Sequence, residues 1–176
     1  MPVREKEFKD KIIEQIAQEM CLAARTAPKA RGLDLLEIAI IKGSEIKKLS
    51  DKMIKLGEKE NNRTFLRDGD NILKAAAIVV IGTKTQYLGL RLCGFCGFPG
   101  CAEAEKAKVV CAINSGDLGI AIGSAVSVAM DHRIDNRIMY SVGKAAMELG
   151  FLGNGVAAVY GIPLSATGKN PFFDRK

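Results

Sequence analysis

Apolar residues at Phe8, Ile12, Ile13, Ile16, Ala17, Met20, Cys21 and Ala24 recur on one side of a 3.6-residue period, which predicts an amphipathic helix over residues 4–25. Pro28 and Gly32 end that pattern, and the apolar run at 35–41 predicts a mostly buried strand. Gly43 and Ser44 mark the start of a second helix, whose inner face is Ile46, Leu49, Met53 and Leu56. Residues 58–71, EKENNRTFLRDGDN, are polar and rich in turn formers, and predict a surface loop leading into a short helix. A second buried strand is expected at 75–82 and a short third one at 109–113. Residues 115–130 are apolar nearly all round and predict a central helix. Ile134, Ile138, Met139, Val142, Ala145, Ala146 and Leu149 predict another, with Asp135 as its cap and Gly150 just past its end. A last strand at 155–163 is followed by a polar tail. Strands separated by helices predict an α+β chain, a central sheet flanked by helices as an α/β sandwich, in one domain spanning 1–176.

Composition narrows the function. With 48% hydrophobic residues the chain can bury one sizeable core, and its longest apolar run, 118–130, is shorter than a membrane span, so a buried helix rather than an anchor is expected. The first residues, MPVREKEFKDK, are charged and lack the apolar stretch of a secretory signal, which points to the cytoplasm. The formal net charge is +6, but the cations are mixed with acids along helix faces and aromatics make only 6% of the chain, so no nucleic-acid surface is expected. A single histidine, His132, in the polar turn DHRIDNR, reads as a surface or capping residue and leaves little room for a hydrolase triad. Neither Gly153–Gly155 nor the glycines near Gly116 form a dinucleotide fingerprint.

Four of the five cysteines fall in RLCGFCGFPGCAEAEKAKVVC, residues 91–111, with the spacing C-x2-C-x4-C-x9-C. Reducing cytosol disfavours disulfides, so such a cluster reads as metal binding or redox chemistry. A structural zinc site usually joins two tight knuckles or recruits histidine, and here there is one tight pair and no histidine nearby. An iron–sulfur cluster accepts three cysteines from one wrapping loop with a fourth returning later, which the spacing fits better. Gly94, Gly97 and Gly100 would take positive φ and bring N–H groups toward sulfur, Phe95, Phe98 and Pro99 would exclude water, and the helix-forming AEAEKA would place Cys101 at a helix N-terminus. A Cys93/Cys96 redox dithiol is the third reading. Cys21, on the apolar stripe of the first helix, reads as a small buried hydrophobe.

CGFCGFPGC with its later cysteine resembles the four-cysteine iron–sulfur motif of certain electron-transfer and corrinoid-pathway proteins, which implies Cys93, Cys96, Cys101 and Cys111 as ligands of a 4Fe-4S cluster. DLGIAIGSAV, DNRIMYSVGKAA and GIPLSATGKNPFFDR together resemble an uncharacterised prokaryotic family described as containing a ferredoxin domain. The order of elements, a first helix ending in AARTAP and a closing YGIP strand are similar to the flavin-dependent nitroreductases, which are homodimers with FMN at the subunit interface. That likeness implies a nitroreductase-like scaffold carrying a cysteine-rich insertion. If FMN binds, Arg25, Lys29 and Arg31 at the first turn, with Lys169 and Arg175 in the tail, are the cations available to its phosphate. Two functions follow: an iron–sulfur electron-transfer protein, linked to a flavin or a redox partner protein, or a zinc-stabilised binding module without catalysis.

Overall fold

A computed structural model describes residues 1–173. Two strands, β1 (Leu36–Lys42) and β2 (Ala77–Lys84), pair antiparallel, and β2 pairs antiparallel with β4 (Val156–Ser165), whose far edge carries the two-residue β3 (Asp135–Asn136). The sheet order is therefore β1-β2-β4-β3. Every residue of β2 but the last is buried, as expected of a strand covered on both faces. Its side chains alternate: Ala77, Val79 and Ile81 join α1 (Lys9–Thr26) and α5 (Ala112–Asp131) in one core, while Ile78 and Val80 join α2 (Ser44–Lys59), α3 (Arg63–Ile72) and α6 (Tyr140–Glu148) in the other. This is the expected α+β sandwich.

The closest packing is between α6 and β4. A Cβ on Gly143 would lie 1.9 Å from the Val159 carbonyl oxygen, and one on Gly161 would lie 2.1 Å from Val142 Cγ1, so both glycines are required for helix and strand backbones to touch.

Several sequence expectations shift. The first helix begins at Lys9, after a 3-10 turn at Glu5–Glu7, and Phe8 and Ile12 stay exposed. The short helix expected after the polar loop is α3, and it takes up most of 58–71. Asn62 caps it, its side-chain oxygen accepting from the N–H groups of Thr64 at 3.0 Å and Phe65 at 3.4 Å. Its extent was disguised because its inner face carries a buried carboxylate, Asp68, paired with Arg67 at 2.7 Å and accepting from Ser141 Oγ at 2.6 Å. Residues 109–113 form no strand, and α6 starts at Tyr140 because 134–139 runs extended along β4, with Met139 bridging Gly161. Asp135 sits in β3 rather than capping a helix. Phe172, in the supposed polar tail, is fully buried in the second core.

The helix α5 is long and apolar enough, by length and composition, to cross a membrane, but its inner face packs on α1 and β2 as a core helix does. It is not buried all round: Gly116, Gly119, Ile120, Gly123 and Met130 lie outward.

Candidate metal centre

The chain leaves β2 at Lys84 and returns to regular structure only at α4 (Cys101–Lys106), so residues 85–100 form an irregular loop that carries Cys93 and Cys96. Gly94 and Gly97 have φ of 61° and 83°, and the Gly97 N–H donates to the Gly94 carbonyl at 2.9 Å, which folds the C-x2-C pair into a tight turn. Gly100 departs from expectation: its φ of −160° is ordinary extended backbone, and it is the N-cap of α4. Cys101 is the first residue of α4, and Cys111 is the N-cap of α5. Two ligand candidates thus sit at helix starts and two on a glycine turn.

All four cysteines line one small hollow, part of it open to solvent. Leu90, Phe98 and Ile113 make its apolar walls. Of the three residues expected to exclude water, Phe98 lines the hollow, whereas Phe95 and Pro99 face solvent. Among the described residues no three His, Cys, Asp or Glu side chains stand around a single point in an arrangement ready for an ion. The sulfurs share a hollow rather than a centre.

Sequence reasoning missed Tyr87 and Asn114. The Tyr87 hydroxyl lies 2.7 Å from the Val109 carbonyl and 3.1 Å from that of Ala104, tying the turn between α4 and α5 to the loop entrance. Burial first, then the charge of Glu105 and of Cys111, Cys96 and Cys101, hold its phenol above the ordinary value. Asn114, buried in the first turn of α5, donates to the Gln86 carbonyl at 2.5 Å. The only sequence signal for Tyr87 was an isolated aromatic a few residues ahead of the cysteines.

Three of the cations named for a flavin phosphate, Arg25, Lys29 and Arg31, are engaged within the chain. Arg25 Nη1 donates to Asp34 at 2.7 Å and to the Leu36 carbonyl at 3.0 Å. The Lys29 side chain, only 6% exposed, turns back onto the last carbonyls of α1, donating to Ala24 at 3.0 Å and to Arg25, and so serves as a C-terminal cap. Arg31, at φ 57°, donates to the Leu88 carbonyl at 2.6 Å. Lys169 follows β4, its carbonyl accepting from Thr167 Oγ1 at 2.7 Å, and Arg175 lies outside the described residues. Arg25, Lys29 and Arg31 do share the α1–β1 turn. Cys21 is half-buried against the first core, and burial pushes its thiol up to about 11, so it is a packing residue. His132 sits exposed 3.4 Å from Glu19.

A protein of Archaeoglobus fulgidus, itself called an uncharacterized protein, is 42% identical over 184 residues, covering 99% of this chain and 98% of its own length. Residues 107–175 match the family described as "Uncharacterized protein containing a ferredoxin domain". The chain belongs to that family. The stretch matched within this ferredoxin-domain family begins after Cys101 and includes Cys111 alone of the four clustered cysteines. Solved structures fix the fold. A nitroreductase with bound FMN from Desulfitobacterium hafniense superposes with a TM-score of 0.61 at 16% identity, over 96% of this chain and 80% of that one. A BluB-like flavoprotein from Clostridium difficile gives 0.58 at 17% identity, over 92% and 84%. The chain therefore has the nitroreductase fold.

Proposed function

We propose that the protein is a cytoplasmic iron–sulfur redox protein in which Cys93, Cys96, Cys101 and Cys111 hold a 4Fe-4S cluster. The observation that carries this reading is the single hollow lined by all four thiols. One zinc ion would draw four sulfurs to within about 3.8 Å of one another, given Zn–S bonds of about 2.3 Å in a tetrahedron. A cluster with an iron at each ligand corner spreads its thiolates around a larger core, and that is the demand a lined hollow meets better than a point. When bound, the cluster accepts or releases one electron at a time. The chain's own contribution is to fix two ligands on helix starts, to close the other two over on the Gly94–Gly97 turn, and to exclude water with Leu90, Phe98 and Ile113.

The nitroreductase fold supports a flavin-linked version of this role, with FMN near the α1–β1 turn and Arg25 or Arg31 released from its present partner to meet the phosphate. It also supports a homodimer joined through the outward face of α5, whose glycines at 116, 119 and 123 would allow close approach. The test is the ultraviolet–visible spectrum of oxygen-protected protein before and after dithionite, with iron, zinc and acid-labile sulfide per chain. A broad visible absorbance bleached by dithionite with matching iron and sulfide is expected, and flavin in an acid extract would identify the oxidoreductase. Stoichiometric zinc in a colourless protein would replace the proposal with the zinc-stabilised module.

A further inference from the structure

Arg31 stands where the backbone prefers another residue. The Leu33 N–H donates to the Ala30 carbonyl at 3.2 Å across Arg31 and Gly32, whose φ values of 57° and 67° are both left-handed. A tight turn with two left-handed central residues favours Asn-Gly, because asparagine and glycine tolerate that region far better than a long side chain does. Asn61, Lys108 and Arg133 are left-handed too, but each lies just past the end of α2, α4 or α5, where helices commonly finish that way. Arg31 lies well beyond the end of α1.

Its side chain reaches the cysteine loop. Arg31 Nη1 donates to the Leu88 carbonyl at 2.6 Å, and a Cβ on Gly89, itself at φ 65°, would lie 4.0 Å from the same nitrogen, so the chain turns past the guanidinium directly after Leu88. Leu88 is buried, while Gln86, Gly89, Arg91 and Leu92 around it are exposed. From Leu90 onward the segment lines the hollow with Cys93 and Cys96. The turn that carries Arg31 is anchored in its own right: the Ala30 N–H donates to Asp117 Oδ2 at 2.9 Å, and Asp117 belongs to α5, the helix that Cys111 caps. Asp117, Ala30 and Arg31 therefore link the helix that starts at Cys111 to the loop that carries Cys93 and Cys96.

We infer that Arg31 is a positioning residue of the metal centre, fixing the start of the cysteine loop against α5 so that Cys93 and Cys96 stay within reach of Cys101 and Cys111. This rests on the proposed iron–sulfur reading. Arg31 acts through the Leu88 carbonyl and not as a ligand. A hydrogen bond from a guanidinium is stronger than one between neutral groups, and bonds that hold ligand-bearing segments set how firmly a centre keeps its metal. At this one position the local turn preference and the long-range tie pull in opposite directions, so a substitution can improve the first while removing the second.

The experiment compares the full chain with Arg31→Asn, which gives the turn its preferred Asn-Gly and removes the reach to Leu88, and with Arg31→Lys, which keeps a cation on a long side chain. Melting temperature and hydrogen exchange of peptides are measured on the metal-free proteins. Iron loss to excess EDTA is followed by visible absorbance after anaerobic reconstitution with ferrous iron and sulfide. Arg31→Asn should melt no more than about 2 °C below the parent, or above it, exchange faster only across residues 86–97, and lose iron about three- to tenfold faster. Arg31→Lys should fall between the two. Iron loss from Arg31→Asn at the parent's rate overturns the inference while leaving the iron–sulfur reading intact. A melting temperature many degrees lower, with faster exchange in α1 and β2 as well, also overturns it, because Arg31 would then serve general stability. A parent that takes up no iron removes the iron–sulfur reading; exchange across 86–97 then decides whether Arg31 holds the loop, and parent-like exchange there in Arg31→Asn overturns that too.

Discussion

Replacing Cys111 with serine separates its two roles, since it is both a ligand candidate and the N-cap of α5. Its backbone has the extended φ of −62° and ψ of 123° that suit a cap, yet its thiol makes no cap hydrogen bond and the residue is only 8% exposed. A serine hydroxyl is smaller and accepts well from the N–H groups of Ile113 or Asn114, a change that typically contributes about 1 kcal/mol at a helix start. Burying a hydroxyl without a partner would cost about 1–3 kcal/mol, and the cap bond removes that cost. The metal-free Cys111→Ser protein should therefore be as stable as the parent, or more stable by up to about 1 kcal/mol, a melting temperature raised by no more than about 4 °C for a chain of this size. Iron and sulfide after reconstitution should nevertheless drop to a small fraction of the parent's. Calorimetry of the metal-free forms and iron analysis of the reconstituted forms read the two effects independently. Full iron content with an unchanged spectrum would remove Cys111 from the ligand set, and a melting temperature many degrees lower would mean that the thiol serves chiefly as core packing.

Gly143→Ala gains about 1 kcal/mol of helix propensity but drives a methyl to 1.9 Å from the Val159 carbonyl oxygen, and moving α6 off β4 costs about 3 kcal/mol or more. The net loss should lower the melting temperature by about 4–8 °C, and an unchanged midpoint would contradict the packing described. In metal-free protein at pH 8, iodoacetamide should modify Cys21 about two orders of magnitude more slowly than in the urea-unfolded chain, because burial lifts its thiol to about 11. Mass mapping of the labelled peptides reads this directly. Burial alone would raise the Asp34 carboxyl, but hydrogen bonds from Arg25 and the Leu36 N–H and the charges of Arg25 and Lys29 hold it below its usual range. Its contribution to stability is thus present above about pH 4 and lost as pH falls through the lowered folded value, so Asp34→Asn should flatten the acid limb of a urea-midpoint profile between about pH 2 and pH 7.

The sheet-and-helix order was legible because β2 and the two helices α1 and α2 announce themselves by period, with Val and Ile concentrated where both faces are covered. The extent of α3 was not, since Asp68 and Gly69 occupy its buried face: the carboxylate pairs with Arg67 and accepts from Ser141, and the glycine lets α2 approach, neither of which a hydrophobic pattern records. Similarly, Phe172 is buried only through the tertiary path of the C-terminal segment, where Arg137 donates to its carbonyl at 2.8 Å. Of the site, the ligand set could be read because cysteine spacing is a covalent fact of the chain, and the pocket brings the four residues together. The direction of each aromatic could not: Phe95 and Phe98 both follow a Cys-Gly pair, yet Phe95 is exposed and Phe98 lines the hollow.

The loop that carries the cysteines is tied down unequally along its length. Gln86, Tyr87 and Leu88, three successive residues at its entrance, are held by three different elements: Asn114 of α5, the carbonyls of Ala104 and Val109, and Arg31 of the α1–β1 turn. The hydroxyl has one proton for two carbonyls, so Tyr87 shares or alternates its donation and keeps the end of α4 and the start of α5 in register. Cys101 opens α4, one turn before Ala104, and Cys111 caps α5, so both lie on the elements that these bonds hold. Among the described residues no comparable bonds hold Cys93 and Cys96 beyond the Gly94–Gly97 turn, so ordering on metal binding falls on this pair, and the entropy lost is confined to a few residues rather than the whole segment. Arg31 adds a consequence for the flavin reading: the cation nearest in sequence to a phosphate role is the same one that anchors Leu88, so drawing its guanidinium toward a phosphate would release one of the three ties at the loop entrance.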